Sequence, residues 1–452
     1  MRQNRFLFCM ALGLFLTAAT YGQATGSRQP EPAGANELSI GMQFMTHGEV
    51  RGGGLPRPAN ENETVDSRAN FLFGRTRLTV NYRNSTIETR AVIQNSAVWG
   101  MKGNQSLGLY EGWAKVNAGH GFFAQMGRVA LAYDDERIIG TNDFATAALS
   151  HDILRLGYEG HGHKLHAILA YNQNASNILS GTYYVNGAQY YKTMQTFWYH
   201  FGFPEFPLGF SALCMNIGMQ AGEPDDVYNP PCTKYHRTFG GYMNYHPGFL
   251  TLEGSYYRQS GSQVNNYNMP VKIDAWMASA KLTVKPSDRY SFELGYDYLS
   301  GDDYVPVIRP GALGMVRHDL LRGFTPVYGS RTKFYGLMDY FYESAYINGF
   351  TPGLQNAFIG VNCKPVAKLS CGVSYHYLAV ATDLDKLGRT LGHDIDLQAS
   401  YRFTDNISIM AGYTQMSGTE TMDRLKQATG DKRANWGWFS LVISPQLFIE
   451  KW

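Results

Sequence analysis

The sequence predicts an all-β fold: a transmembrane antiparallel β-barrel of about 18 strands, with short periplasmic turns and long extracellular loops. Three observations carry this reading. The chain is 14% aromatic and 17% charged, with 49 Gly and 31 Tyr, whereas an average soluble domain is about 25% charged and about 7% Gly. Beyond residue 36 it breaks into strand-length runs with a period of two. Short turns between those runs alternate with long polar loops, a sorting that a β-sandwich has no reason to make.

The first 22 residues read as a signal peptide. Arg2 and Arg5 precede the apolar run FLFCMALGLFLTAAT, and the small residues of TAATYGQ close it. That run is shorter than the roughly 20 residues a helical span needs, and Cys9 within it is an ordinary apolar residue. Residues 23–36 follow as a short periplasmic segment, and 37–452 are assigned to the barrel. A net charge of +2 gives no bulk attraction for nucleic acid. Beyond the signal peptide the cysteines are Cys214, Cys232, Cys363 and Cys371. Cys363 and Cys371 flank the turn KPVAKLS, where a disulfide or two free thiols fit equally. No CxxC or His-rich metal spacing occurs, so no metal or other cofactor is expected.

Along the mature chain, RLTVNYR (77–83) sets Leu78, Val80 and Tyr82 against Arg77, Thr79, Asn81 and Arg83. KIDAWMASAKLTV (272–284) and DIDLQASYRF (394–403) repeat the theme less cleanly. Eight tight turns are expected, at 83–86, 117–121, 159–163, 203–207, 246–248, 285–289, 364–368 and 404–406. Long loops are expected near 47–66, 134–150, 174–193, 222–234, 261–271, 301–352, 380–391 and 417–434. Two strands per tight turn, plus a first strand at 37–46 and a last from about 435 to 452, give about 18. KFYGLMDYFY (333–342) looks like a strand but would make the count odd, so it is assigned to the 301–352 excursion, folded onto or into the barrel mouth. The chain ends on Trp452, the kind of terminal aromatic that barrel-assembly machinery reads. Strands in lipid must pair all their backbone groups, so the sheet closes, and about 18 strands enclose an aqueous channel unless loops obstruct it.

The stretch GRVALAYDDERIIGTNDFATAALSHD (127–152) places four charged residues between two strands. With the following ILRLGY it resembles the alginate-export porin family of outer-membrane proteins. The matching positions are Gly127–Arg128, Tyr133–Asp135, Arg137, Gly140 and Asp152. FTPVYGSRTKFYGLMDYF (324–341) is similar to that family's long-loop motif, and LGHDIDLQASYRFTDNISIMAGYTQM (391–416) to its penultimate hairpin. The resemblance spans about residue 37 to the C-terminus. It implies an 18-stranded channel in the outer membrane of a Gram-negative bacterium. It also implies export of an acidic polysaccharide through an arginine-rich lumen. Phe144 stands where the family usually has Trp, and Ala148 and Leu149 occupy the place of a common arginine.

On this reading Asp134, Asp135, Glu136 and Arg137 belong to a loop that enters the lumen and lines it with charge. A charged external loop, merely pinned, is the alternative. Arg128 and Asp152, on adjacent strands at its base, are expected to line the pore with it and to pair across the sheet. Arg75, Arg77 and Arg83 share one strand parity, and Glu88 and Arg90 share another on the next strand; all five are expected in the lumen. They form either a lane for anions or a mutually neutralising network that stiffens the wall. NWGWF (435–439) and TFWYHF (196–201) suit interface girdles. The expected activity is passive passage or export of an anionic poly- or oligosaccharide or small anionic solute. The alternative is a non-conducting barrel acting as adhesin, receptor or assembly partner. Enzyme activity is not expected: SHD (150–152) holds triad residue types, but consecutive strand residues face opposite ways.

Overall fold

The computed structural model describes residues 36–53, 68–101, 103, 105–145, 148–174, 178–179, 191–223, 225–264, 270–302, 320–338, 351–384, 387–426 and 432–452. The expected signal peptide and residues 23–35 therefore lie outside the described residues. The strands are β1 (Glu37–Gly53), β2 (Ala69–Arg83), β3 (Ile87–Val98), β4 (Gln105–Gly119), β5 (Phe122–Val129), β6 (His151–Gly160) and β7 (His163–Tyr171). They continue with β8 (Thr193–Gly202), β9 (Leu208–Ala221), β10 (Cys232–Tyr245), β11 (Leu250–Val264), β12 (Pro270–Ser287) and β13 (Tyr290–Leu299). After β14 (Leu320–Leu321) come β15 (Leu354–Val366), β16 (Leu369–Ala379), β17 (Thr390–Thr404), β18 (Ile407–Gly418), β19 (Arg433–Ile443) and β20 (Gln446–Lys451). One short helix, α1 (Glu420–Lys426), lies between β18 and β19.

Each wall strand pairs antiparallel with its sequence neighbours, and β1 closes the ring by pairing with β2 on one side and β19 and β20 on the other. β14 is a two-residue parallel pairing beside Lys272 and Ile273 of β12, beyond the last β12–β13 pair at Met277↔Leu299, and is too short to count as a wall strand. β19 and β20 are one wall strand broken at Ser444–Pro445, because proline has no N–H for the ladder. The Pro445 carbonyl still accepts from Met42 N at 3.1 Å. The wall is thus a closed antiparallel barrel of 18 strands.

All eight expected tight turns join paired strands. Two details differ from the sequence reading. The connections at 99–104, between β3 and β4, and at 265–269, between β11 and β12 where a long loop is expected, are as short as turns although they lie at the long-loop end, so the alternation is not strict. β1 runs to Gly53, beyond the expected end at residue 46, because β2 and β19 both extend far enough to pair with it, at Arg51↔Ala69 and Gly53↔Ala434. Of the 333–342 segment, Lys333 closes a single 3-10 turn and Phe334 to Met338 follow it without strand pairing, inside the barrel mouth. Residues 339–342 lie outside the described residues.

Burial runs opposite to that of a soluble protein. Leu107, Met126, Leu156, Ile359 and Val373 are exposed, one per strand, while Arg75, Arg77, Asp297, Asp394 and Asp396 are buried. β17 shows the alternation directly: Asp394 and Asp396 point inward, Ile395 and Leu397 outward. Apolar side chains on the outside and charges on the inside are the pattern of a sheet solvated by lipid. The chain is a transmembrane β-barrel. Its largest apolar cluster lies within the mouth, where Leu131, Ile139, Phe324, Tyr328 and Leu337 of two loops pack against inward residues such as Met194, Met215 and Met277.

Candidate functional site

The stretch after β5 turns into the barrel instead of crossing to the outside. Just before this turn, still within β5, Gly127 has φ of +127°, and a Cβ there would stand 2.2 Å from the Gly112 carbonyl oxygen of β4. Only glycine fits this approach. The segment then pairs with the loop containing β14: Ile139 bridges Tyr328, Gly140 N donates to Tyr328 O at 2.8 Å, and Ser330 N donates to Glu136 O at 2.9 Å. Gly140 is pressed so closely against Ser330 that a Cβ would meet its Oγ at 2.4 Å. Two of the motif's glycines thus have a steric reason.

Arg137 is the hub of the pair of loops, at 5% exposure. Its guanidinium bonds Asp135 Oδ2 at 3.2 Å and Asp297 Oδ1 at 3.1 Å, donates to Tyr335 Oη at 2.9 Å and Ser279 Oγ at 3.1 Å, and lies 3.9 Å over the Phe334 ring. It ties both loops to β12 and β13. Glu136 accepts from Ser330 Oγ at 2.7 Å and pairs with Lys333. Gln259 of β11 braces the second loop through Thr325 on both sides of its amide.

Asp134 receives Trp198 Nε1 at 3.1 Å. Burial pushes its carboxyl up to about 6 from an ordinary 3.8, against hydrogen bonds from Ser211 and Trp198 that pull it down. A pKa raised on folding favours the neutral acid in the folded state. The corresponding stability is complete below about pH 4 and is lost as pH rises through about 6. Asp134→Asn is therefore expected to melt like wild type near pH 4 and progressively above it toward pH 7, as thermal unfolding in detergent would show.

The inward residues of the other wall are held differently. Asp143, from the first loop, takes Arg77 Nη2 at 2.7 Å and Arg75 Nη1 at 3.3 Å, and Arg75 also donates to the Asp143 and Ala145 carbonyls. Both arginines are thus consumed in holding that loop. Phe144 wedges edge-on between His47 and Trp438, each ring 5.1 Å away. Further down the wall Arg83 pairs with Glu37 at 2.8 Å, Arg90 with Glu111 at 2.7 Å, and Glu88 with Lys115 at 3.1 Å. All five side chains lie on the inner face: Arg83, Glu88 and Arg90 in one-to-one ion pairs, Arg75 and Arg77 on one shared carboxylate.

Arg128 and Asp152 do pair, with two bonds of 2.8 and 2.7 Å. Their parity sets them elsewhere than expected. Arg128 shares the outward face of β5 with exposed Phe122 and Met126, while Phe123 and Gln125 point inward. Asp152 shares the outward face of β6 with Leu156, opposite in parity to Arg155, which reaches Tyr133 in the lumen. The ladder between them has no register shift. Neutralising the pair as Arg128→Gln/Asp152→Asn is expected to leave reversal potential and conductance unchanged, measured across a salt gradient in a planar bilayer.

Between the loops and the β10–β17 wall lies a chamber of about 280 Å³. Its lining includes Asp134, Asp135, Glu136, Glu253, Glu293, Asp297 and Asp396 against Arg137, Lys281 and Lys333. Glu253 and Lys281 pair at 2.6 Å. The barrel interior is therefore polarised, with an arginine-rich wall at β2–β4 facing an acid-rich chamber. Sequence reasoning missed Asp143, Asp297 and Tyr335, whose partners lie far along the chain. Cys363 and Cys371 stand directly opposite each other in the β15–β16 ladder as free thiols.

A closed 18-strand wall with a charged interior and two inward loops defines a transmembrane β-barrel with a lumen narrowed from within. Solved structures agree. Pseudomonas aeruginosa OccK5 (OpdH) matches with a TM-score of 0.59 at 10% identity, over 91% of this chain and 98% of that one. P. aeruginosa OccK2 (OpdF) in complex with glucuronate matches with a TM-score of 0.58 at 10% identity, over 91% and 97%. Acinetobacter baumannii OccAB1 matches with a TM-score of 0.57 at 11% identity, over 91% and 97%. No protein-family model matches the chain, and no curated protein matches it in sequence.

Proposed function

We propose that the chain is an outer-membrane channel for passive passage of a small anionic solute or a short anionic saccharide. The observation that carries this is the closed barrel whose charged lumen two inward loops narrow to a chamber of about 280 Å³. That volume lies just below the roughly 300–1,000 Å³ of drug-sized ligand pockets. It is of the size of one sugar ring. The OccK2 complex with glucuronate, a sugar acid, supports this solute class. So does the opposite wall, where two arginines, Arg75 and Arg77, face a single carboxylate, Asp143. The acid-rich chamber opposite sets a transverse field that would orient a solute carrying both an acid and a dipole. Resemblance of the 127–158 segment to the alginate-export family points, within this class, to an acidic saccharide. Asp134, Asp135, Glu136 and Arg137 act in this reading as the narrowing element, and Trp452 as the signal read by the assembly machinery.

Single-channel recording of the folded barrel in a planar bilayer tests the proposal. Steady unitary current, reduced by a sugar acid such as glucuronate and less by the uncharged sugar, is the expected result. A folded barrel that carries no current overturns it. That outcome favours the non-conducting receptor or adhesin reading, to which the apolar packing of the two loops would then belong.

A further inference from the structure

The outer wall carries one cluster of positive charge that a lipid-facing surface does not need. Arg237 of β10, Arg258 of β11 and Lys272 of β12 are all exposed, and all share the outward parity of Phe239, Tyr256 and Trp276. The ladders pair Arg237 with Ser260 and Ser260 with Asp274, Phe239 with Arg258 and Arg258 with Trp276, and Ser262 with Lys272. The three cations therefore occupy three successive outward rungs of adjacent strands. Asp274 bonds Arg258 Nη2 at 2.8 Å. Arg237 and Lys272 have no ion-pair partner among the described residues. The patch keeps a surplus of positive charge, unlike the Arg128–Asp152 pair.

Its height fits the membrane boundary. Arg258 lies eight residues above Leu250, the start of β11 at the tight-turn end. At about 3.3 Å per residue and a tilt of about 40°, that is roughly 20 Å along the membrane normal, near the top of an apolar band about 25 Å tall. Aromatic rings mark the same level: Trp276 stacks on Tyr298 at 4.7 Å and lies 6.2 Å from Tyr256. Cations directly above an aromatic and apolar wall suit a ligand with phosphate at one end and acyl chains at the other.

We propose that Arg237, Arg258 and Lys272 form a binding site for the phosphorylated headgroup of an outer-leaflet glycolipid. Ser260 and Ser262 stand between the cations as hydroxyl donors, and the acyl chains run down over Tyr256 and Leu252. Asp274 opposes the phosphate and limits the affinity.

The test is thermal unfolding of the whole barrel in neutral detergent, titrated with diphosphorylated lipid A, with the same lipid lacking its phosphates, and with inorganic phosphate. Wild type is expected to gain melting temperature with the phosphorylated lipid alone. Each cation is worth about a fivefold change in affinity, so the Arg237→Ser/Arg258→Ser/Lys272→Ser variant should need about a hundredfold more lipid. Asp274→Asn should need less than wild type. All these side chains are exposed, and unchanged melting without lipid verifies that the variants fold. Equal responses of wild type and the triple variant, or equal responses to lipid with and without phosphate, would overturn the proposal. So would an equal response to inorganic phosphate, which would make the patch a simple anion site.

Discussion

Arg137→Ala should widen the channel and cost about 3–5 kcal/mol of stability, the usual penalty for removing one partner of a buried ion pair. The size follows from what the guanidinium holds. It separates Asp135 from Asp297, which is itself 1% exposed, and it joins both inward loops to β12 and β13. Without it the Asp297 carboxylate keeps Ser279 Oγ at 2.7 Å and Asn356 Nδ2 at 2.9 Å but loses its only cationic partner among the described residues. Tyr335 loses a donor, and Phe334 loses the cation above its ring. The loops should then leave the lumen part of the time, giving larger and noisier unitary currents together with a lower melting temperature. Arg137→Lys should recover little, because an ammonium cannot reproduce the planar fork that reaches four partners. Unchanged current and melting in the alanine variant would show that the loops hold their place without this residue.

The second large effect concerns the sign of selectivity. Asp143 is the one carboxylate that Arg75 and Arg77 share, a single negative charge against two positive ones. Asp143→Asn keeps the side-chain shape and makes the cluster beside the lumen one unit of charge more positive. One unbalanced charge within about 4 Å of a passing ion is worth about 1 kcal/mol even at the dielectric of water, or about fivefold in a permeability ratio. The chloride-to-potassium ratio should rise by at least that factor. Arg75→Gln/Arg77→Gln leaves the carboxylate instead and should shift the ratio the other way. Opposite shifts in reversal potential would identify the clamp as part of the ion path. Parallel shifts would mean that each change acts only by loosening the loop.

The wall was far more legible in the sequence than its contents. The tight turns at 83–86, 159–163 and 404–406 are marked by short polar breaks between alternating runs, and period two leaves no freedom about which side chains share a face. That logic sets Arg75, Arg77 and Arg83 on one face of β2, with the parity of buried Phe73. The same logic was not carried through for Arg128 and Asp152. The parity of Met126 against Gln125 already sets Arg128 outward, and the charge of the pair made a luminal role attractive. The clamp of Asp143 on Arg75 bridges 68 residues and the contact of Arg137 with Tyr335 bridges 198. No local pattern encodes such distances. The extra length of β1 is likewise a property of its partners: it is paired on both sides by strands that extend equally far.

The ring is completed where β1 meets β19 and β20, in pairings such as Glu37↔Lys451 and Gly53↔Ala434. Nearly the whole chain lies between those partners. Until they meet, two strand edges expose their backbone groups, and lipid offers such edges no hydrogen bonds. This seam makes the architecture an all-or-nothing commitment in time. The hairpins can assemble one by one, yet none of them lies in a finished wall until the oldest strand has waited for the youngest. During that wait, unsealed edges need a host that supplies hydrogen bonds.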